Sequence, residues 1–175
     1  LYTVEEVQTI ERTLNSACTK LSDIERLVLA TELRKLYASL RQDDATWGTF
    51  SFWKLVENKN ENDGQHWTLG STQHWHGIST KSKGTEMRAN WVNEQMPWIA
   101  PTRGLCQEQG TWPHQVLTGI INMGMREEDN YLLPSPPAVR AGRRPPGATD
   151  HLEWITLLRR TLTKIGFEPQ QAATI

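Results

Sequence analysis

Thr3-Val4-Glu5-Glu6-Val7-Gln8-Thr9-Ile10 and Ser22-Asp23-Ile24-Glu25-Arg26-Leu27-Val28-Leu29 open the two segments whose reading decides the fold. Each begins with a capping box, in which a hydroxyl side chain accepts an early backbone N–H and a glutamate three residues on reaches back. Behind the first box, Val4, Val7, Ile10, Leu14, Ala17 and Leu21 recur at spacings of three and four, the period of one helical face. Behind the second, Leu29, Leu33, Leu36 and Leu40 step by four, three and four, and Ile24, Leu27 and Val28 widen the stripe. Two amphipathic helices joined by almost no loop form a helical hairpin or corner. Neither is stable alone at this length, so both stripes must be buried against the rest of the chain.

Outward from this pair the pattern changes. Asp43-Asp44 interrupts it, and Phe50, Phe52, Trp53, Leu55 and Val56 then make a short aromatic helix or strand. Asn58 to Gly64 reads as a polar loop. The triplet Gln65-His66-Trp67 returns as Gln73-His74-Trp75 around a Gly70-Ser71 turn, which predicts a β-hairpin near residues 66–78 with Trp67 and Trp75 as packing partners. Helical period resumes at Thr85, with Met87, Trp91 and Met96 near one face and Pro97 as the stop. Pro101 to Gly110 reads as irregular. Thr111-Trp112-Pro113 starts a strongly apolar helix carrying Val116, Leu117, Ile120 and Ile121, which runs out near Gly124.

Five of the nine prolines fall between Pro134 and Pro146, so residues 134–148 form a stiff Pro/Arg-rich connector. Thr149 or Asp150 caps a last helix whose stripe is Leu152, Ile155, Leu158, Leu162 and Ile165, ended by Gly166-Phe167, with fraying past Pro169. The expected architecture is therefore mainly α. It has five or six helices in an orthogonal array, one small β-hairpin, a core domain over 1–133, the connector, and a C-terminal helix over 149–168. Leu33, Leu36, Ile120, Ile121, Leu158 and Leu162 are the expected core. The last helix is expected to dock on the same or a neighbouring copy through Leu152, Trp154, Ile155, Leu158, Leu162 and Ile165, with the neighbour favoured because a stiff connector disfavours a tight reversal.

The chain has 175 residues, 37% hydrophobic and 22% charged, with a net charge of −1. Those values suit one core, and they exclude wholesale disorder and a global polycation. No run approaches the roughly 20 apolar residues of a membrane-spanning helix. Two cysteines far apart, Cys18 and Cys106, and no Asn-x-Ser/Thr acceptor point to an intracellular, reduced context, cytoplasmic or nuclear. The first residues, Leu1-Tyr2-Thr3, read as a trimmed segment of a longer protein.

Three chemistries are open to these residues. His66, His74 and His76 with Cys106 and His114 are metal-ligand types, but only His74-x-His76 is paired, and the expectation is no metal and no cofactor. Nucleophile, phosphate-loop and zinc-protease motifs are absent, and Cys106 and His114 eight residues apart do not define a catalytic pair, so no catalytic residue is expected. Arg140, Arg143, Arg144, Arg159, Arg160 and Lys164 face only Asp150 and Glu153 across the late segment, a patch able to hold phosphates of single-stranded nucleic acid. Eight tryptophans spread along the chain serve packing first and a partner second.

Thr49-Phe50-Ser51-Phe52-Trp53-Lys54-Leu55-Val56 resembles a segment in matrix domains of betaretroviral Gag proteins, and the helix after Gly147 resembles the capsid homology helix of such polyproteins. The two cover a small part of the chain, and their order and spacing do not match one Gag domain. The resemblance implies a capsid- or nucleocapsid-like context. The functional expectation is a non-catalytic assembly module that binds copies of itself or another partner. Nucleic-acid binding through the late basic segment is the alternative, and an enzyme without a recognisable motif the third.

Overall fold

The computed structural model describes residues 2–16, 20–48, 54–57, 73–80, 96–106, 111–126, 129, 131–135 and 148–175. Among them lie six helices and three strands: α1 (Val4–Asn15), α2 (Asp23–Tyr37), α3 (Gln42–Thr46), β1 (Lys54–Glu57), β2 (Gln73–Ser79), β3 (Met96–Pro101), α4 (Thr111–Asn122), α5 (His151–Lys164) and α6 (Pro169–Thr174). The chain is mainly helical with a small antiparallel β element, as expected.

Both capping boxes form. Glu6 N–H donates to Thr3 Oγ1 at 3.3 Å and Thr3 N–H to Glu6 Oε2 at 2.7 Å, and the same pair of bonds joins Ser22 and Glu25. A third box, Asp150 with Glu153, starts α5. At its end Gly166 takes φ +105°, Phe167 N–H bonds Leu162 O at 3.1 Å and Gly166 N–H bonds Thr163 O, the double bond pattern of a Schellman stop.

The helix α2 is the spine. Leu27, Val28, Leu29 and Ala30 are all fully buried, because α1, α4 and α5 pack around it and leave no solvent face over two turns. Gly119 of α4 lets the two backbones close: a Cβ there would stand 3.0 Å from Leu27 Cβ. Leu33, Ile120, Leu158 and Leu162 are buried as the periodicity predicts. Leu36 and Ile121 are not, at 40% and 58% exposure. Leu36 lies on the last turn of α2, where the neighbouring Tyr37 rather than Leu36 meets the core, its ring 5.7 Å from that of Trp112. Ile121 stands 100° round from Ile120, outside the face made by Trp112, Val116 and Ile120.

Several readings are corrected by the structure. The β element is a three-stranded antiparallel sheet in the order β1-β2-β3, in which β2 pairs with both neighbours. The strand β3 occupies a stretch whose two prolines read as punctuation. Asp43 and Asp44 start α3 rather than break a pattern, with Arg41 N–H donating to Asp44 Oδ2 at 2.9 Å and the acids sitting at the positive end of the helix. Residues past Pro169 form α6, whose Ala172 is buried. Cys18, the Phe50–Trp53 aromatics, Gln65-His66-Trp67, the Met87–Trp91 helix and Arg140, Arg143 and Arg144 lie outside the described residues.

The tail docks on its own chain. Trp154, Leu158 and Leu162 are fully buried; Trp154 Nε1–H donates to Glu32 Oε1 of α2 at 3.2 Å, and Lys164 Nζ meets Glu25 Oε2 at 2.8 Å. The ends of the connector meet in an antiparallel bridge between Pro134 and Ala148, with Thr149 N–H bonded to Leu133 O at 2.9 Å. Of the two dockings expected for the stripe, on the same or a neighbouring copy, the described residues show the one in cis, with Ile155 and Ile165 half-buried and Leu152 left outside.

Candidate interaction surface

Alternation along β2 and β3 gives the sheet two faces of opposite character. On the inner face Trp75, Gly77 and Ser79 of β2 stand opposite Ala100, Trp98 and Met96 of β3. Trp75, Trp98 and Ala100 are buried there. Trp98 lies flat on Gly77, where a Cβ would come within 2.2 Å of the indole. From α2 the Arg34 guanidinium sits 5.8 Å from the Trp98 ring and donates to Ala45 O of α3, locking helix, sheet and α3 together. Its full burial lowers the guanidinium to about 9.

The outer face is built from three cross-strand pairs: His74 with Pro101, His76 with Ile99, and Ile78 with Pro97. Ile99 is 53% exposed and Pro97 exposed, while His74, His76, Ile78 and Pro101 are half-buried. None of the six carries a carboxylate, ammonium or guanidinium. Directly opposed residues in an antiparallel ladder bring their Cβ atoms within ~5.5 Å, so the six make one continuous patch of aliphatic, prolyl and imidazole surface. On the far side of β2, Lys54 and Val56 of β1 take the register positions opposite His76 and His74.

The other sites weighed on the sequence are dispersed. His74 and His76 do share a face, yet no group of three or more metal-ligand side chains gathers among the described residues. Cys106 and His114 do not pair: Cys106 Sγ points at Gln8 O (3.8 Å), and His114, exposed on α4, has Thr118 Oγ1 at 3.4 Å. The late cations are split. Lys164 is bonded to Glu25, Arg159 donates to Ala173 O of α6 at 2.9 Å, and Arg160 faces solvent nearby. Of the six cations expected to hold phosphates, these three stand exposed on α5, and Arg140, Arg143 and Arg144 lie outside the described residues.

Polar groups that sequence reading passed over hold the elements together. Glu11 is buried on the packed face of α1 and accepts from the Tyr37 hydroxyl, from Leu105 N–H at 2.9 Å and from Cys106 N–H at 2.7 Å. Gly104 makes room for that carboxylate, since a Cβ would lie 2.1 Å from Glu11 Oε1. Burial and the neighbouring Glu11 both push the Tyr37 hydroxyl well above the ordinary tyrosine range, so it remains a donor. A cavity of about 10 Å³ between Glu11, Leu33, Cys106 and Trp112 has room for one water, far below the size of a metabolite site. The signal for Glu11 was available: an acid between Val7 and Leu14, on the apolar stripe. The signal for the outer sheet face was not, because it exists only through strand register. Comparison with protein-family models, curated proteins and solved structures finds no match to this chain.

Proposed function

We propose that this chain is a non-catalytic assembly module that associates with a second copy of itself through the outer β2–β3 face. The observation that carries the reading is the six-residue uncharged patch centred on Ile99 and His76. Six positions without fixed charge meet their own copy across a two-fold axis without like-charge repulsion, and the basic residue in register beside them is Lys54 of β1, opposite His76. A contiguous apolar patch on a regular element marks a partner site where a single exposed side chain such as Leu152 does not. Among the described tryptophans Trp75, Trp98, Trp112 and Trp154 are buried in the core and take no part in the patch.

Sedimentation equilibrium over a concentration series, with and without single-stranded RNA, tests this. The expected result is a reversible rise from the 20.0 kDa chain towards twice that mass, unaffected by RNA. A mass of one chain at every concentration, or a rise that requires RNA, contradicts it.

A further inference from the structure

The strand β3 is the last strand of the described sheet and pairs with β2 on one side. An edge strand presents unpaired N–H and C=O groups that template addition of another strand. Residues 97, 99 and 101 share one direction along β3, not only one face, because N–H groups alternate from side to side along a strand just as side chains alternate between faces. Proline donates no N–H, and within sheets it stands where that N–H would leave the ladder. Pro97 and Pro101 therefore point their missing donors to the side away from β2, where no described strand pairs, and of the three residues facing that way Ile99 alone retains an N–H. Trp98 and Ala100, with the opposite parity, face Gly77 and Trp75 across the ladder with β2.

We infer that Pro97 and Pro101 bar strand addition at β3, so that copies of the chain join face to face and stop at a pair instead of growing edge to edge. The bar itself stands on the edge geometry; only the size of the final assembly rests on the face reading above. A two-fold face contact closes on itself, while edge pairing of successive copies propagates. A blunted edge is what keeps an apolar face usable without polymerisation.

The test compares the full chain with its Pro97→Thr/Pro101→Thr variant by light scattering and amyloid-dye binding over days, with circular dichroism to verify folding. Threonine restores both donors and favours strand geometry. The expected result is growth past 40 kDa, twice the 20.0 kDa chain, and dye binding in the variant, with neither in the parent. Should the double variant fail to fold, Pro97→Thr alone, at an exposed position, restores one donor and should still grow. A folded variant with the parent's mass and no dye binding overturns the inference, as does a parent that itself grows past a pair. A parent that remains a single chain while the variant grows upholds the edge inference and sinks the face reading.

Discussion

Truncating Glu11 to Ala should be among the most damaging single changes in the molecule. The side chain joins three parts distant in sequence: α1, the end of α2 through Tyr37, and the turn at Leu105-Cys106. Without the carboxylate, Cys106 N–H loses its acceptor, while Leu105 N–H keeps a contact with the Tyr37 oxygen at 3.2 Å. Three bonds to the carboxylate are lost, leaving two part-buried donors, Cys106 N–H and the Tyr37 hydroxyl, without their acceptor, a loss largely relieved by water entering beside Gly104. At ~1–3 kcal/mol for an unpaired buried donor, and a similar loss for a bond to a charged group, the net cost is about 2–4 kcal/mol. For a domain of this size that lowers Tm by ~4–16 °C. Urea denaturation gives the free energy, and amide exchange at Leu105 and Cys106 localises it: both should exchange faster in the variant, with α5 amides changed only through global stability. A loss under ~0.5 kcal/mol would refute the reasoning, because it would mean the 104–106 turn is not held by this carboxylate.

Gly77→Ala forces a methyl into the Trp98 indole, so the sheet must shift or the indole must leave; a cost of ~1–3 kcal/mol is expected by thermal melting, with altered tryptophan fluorescence. Trp154→Phe keeps most of the buried ring but removes the N–H to Glu32, which retains Lys35 at 2.8 Å; about 1–2 kcal/mol should be lost, and Glu32→Gln in the same chain should make the two losses non-additive. Burial alone would raise the Glu25 carboxyl, but Lys164 and the Ser22 N–H and hydroxyl outweigh it and hold the carboxyl below the ordinary carboxylate range. A depressed carboxyl contributes stability that is full above its unfolded value and is lost as the pH falls through the folded one. Stability from pH 7 down to pH 3 should therefore fall less steeply in Lys164→Met than in the parent, and superimposable profiles would contradict this.

What was legible in the sequence is what local rules control. Capping boxes at Thr3, Ser22 and Asp150, the stop at Gly166, and the stripe leading to Leu33, Leu158 and Leu162 depend on residues a few positions apart, and they appear where the pattern puts them. What escaped depends on pairing at a distance. The strand β3 has only six residues, two of them proline, and becomes a strand because β2 lies beside it. Connector stiffness, a local property, leaves docking of the tail on the same or a neighbouring copy open, whereas the bridge between Pro134 and Ala148 is not local. Leu36 and Ile121 show the limit of periodicity itself, since spacing marks a stripe but not which of its residues meets a partner: Leu40, further along the stripe than Leu36, is buried. The candidate surface lies wholly in this second class. His74 and His76 were visible as a pair, but the neighbours that make them part of an apolar face, Ile99 and Pro101, come from a strand more than twenty residues away.

The most direct measurement is the dissociation constant of the pair for the parent, for Ile99→Glu and for Leu152→Glu, by sedimentation at fixed pH and salt. Ile99 lies at the centre of the face, so across a two-fold axis a glutamate there meets its own image. Like-charge juxtaposition with desolvation should cost about 3 kcal/mol or more, at least ~100-fold in Kd. Leu152, 72% exposed on α5, is an equally large apolar side chain away from the sheet. The account predicts a single chain for Ile99→Glu and an unchanged Kd for Leu152→Glu, both folded. An Ile99→Glu chain that pairs as tightly as the parent, or a Leu152→Glu chain that alone falls apart, would contradict it.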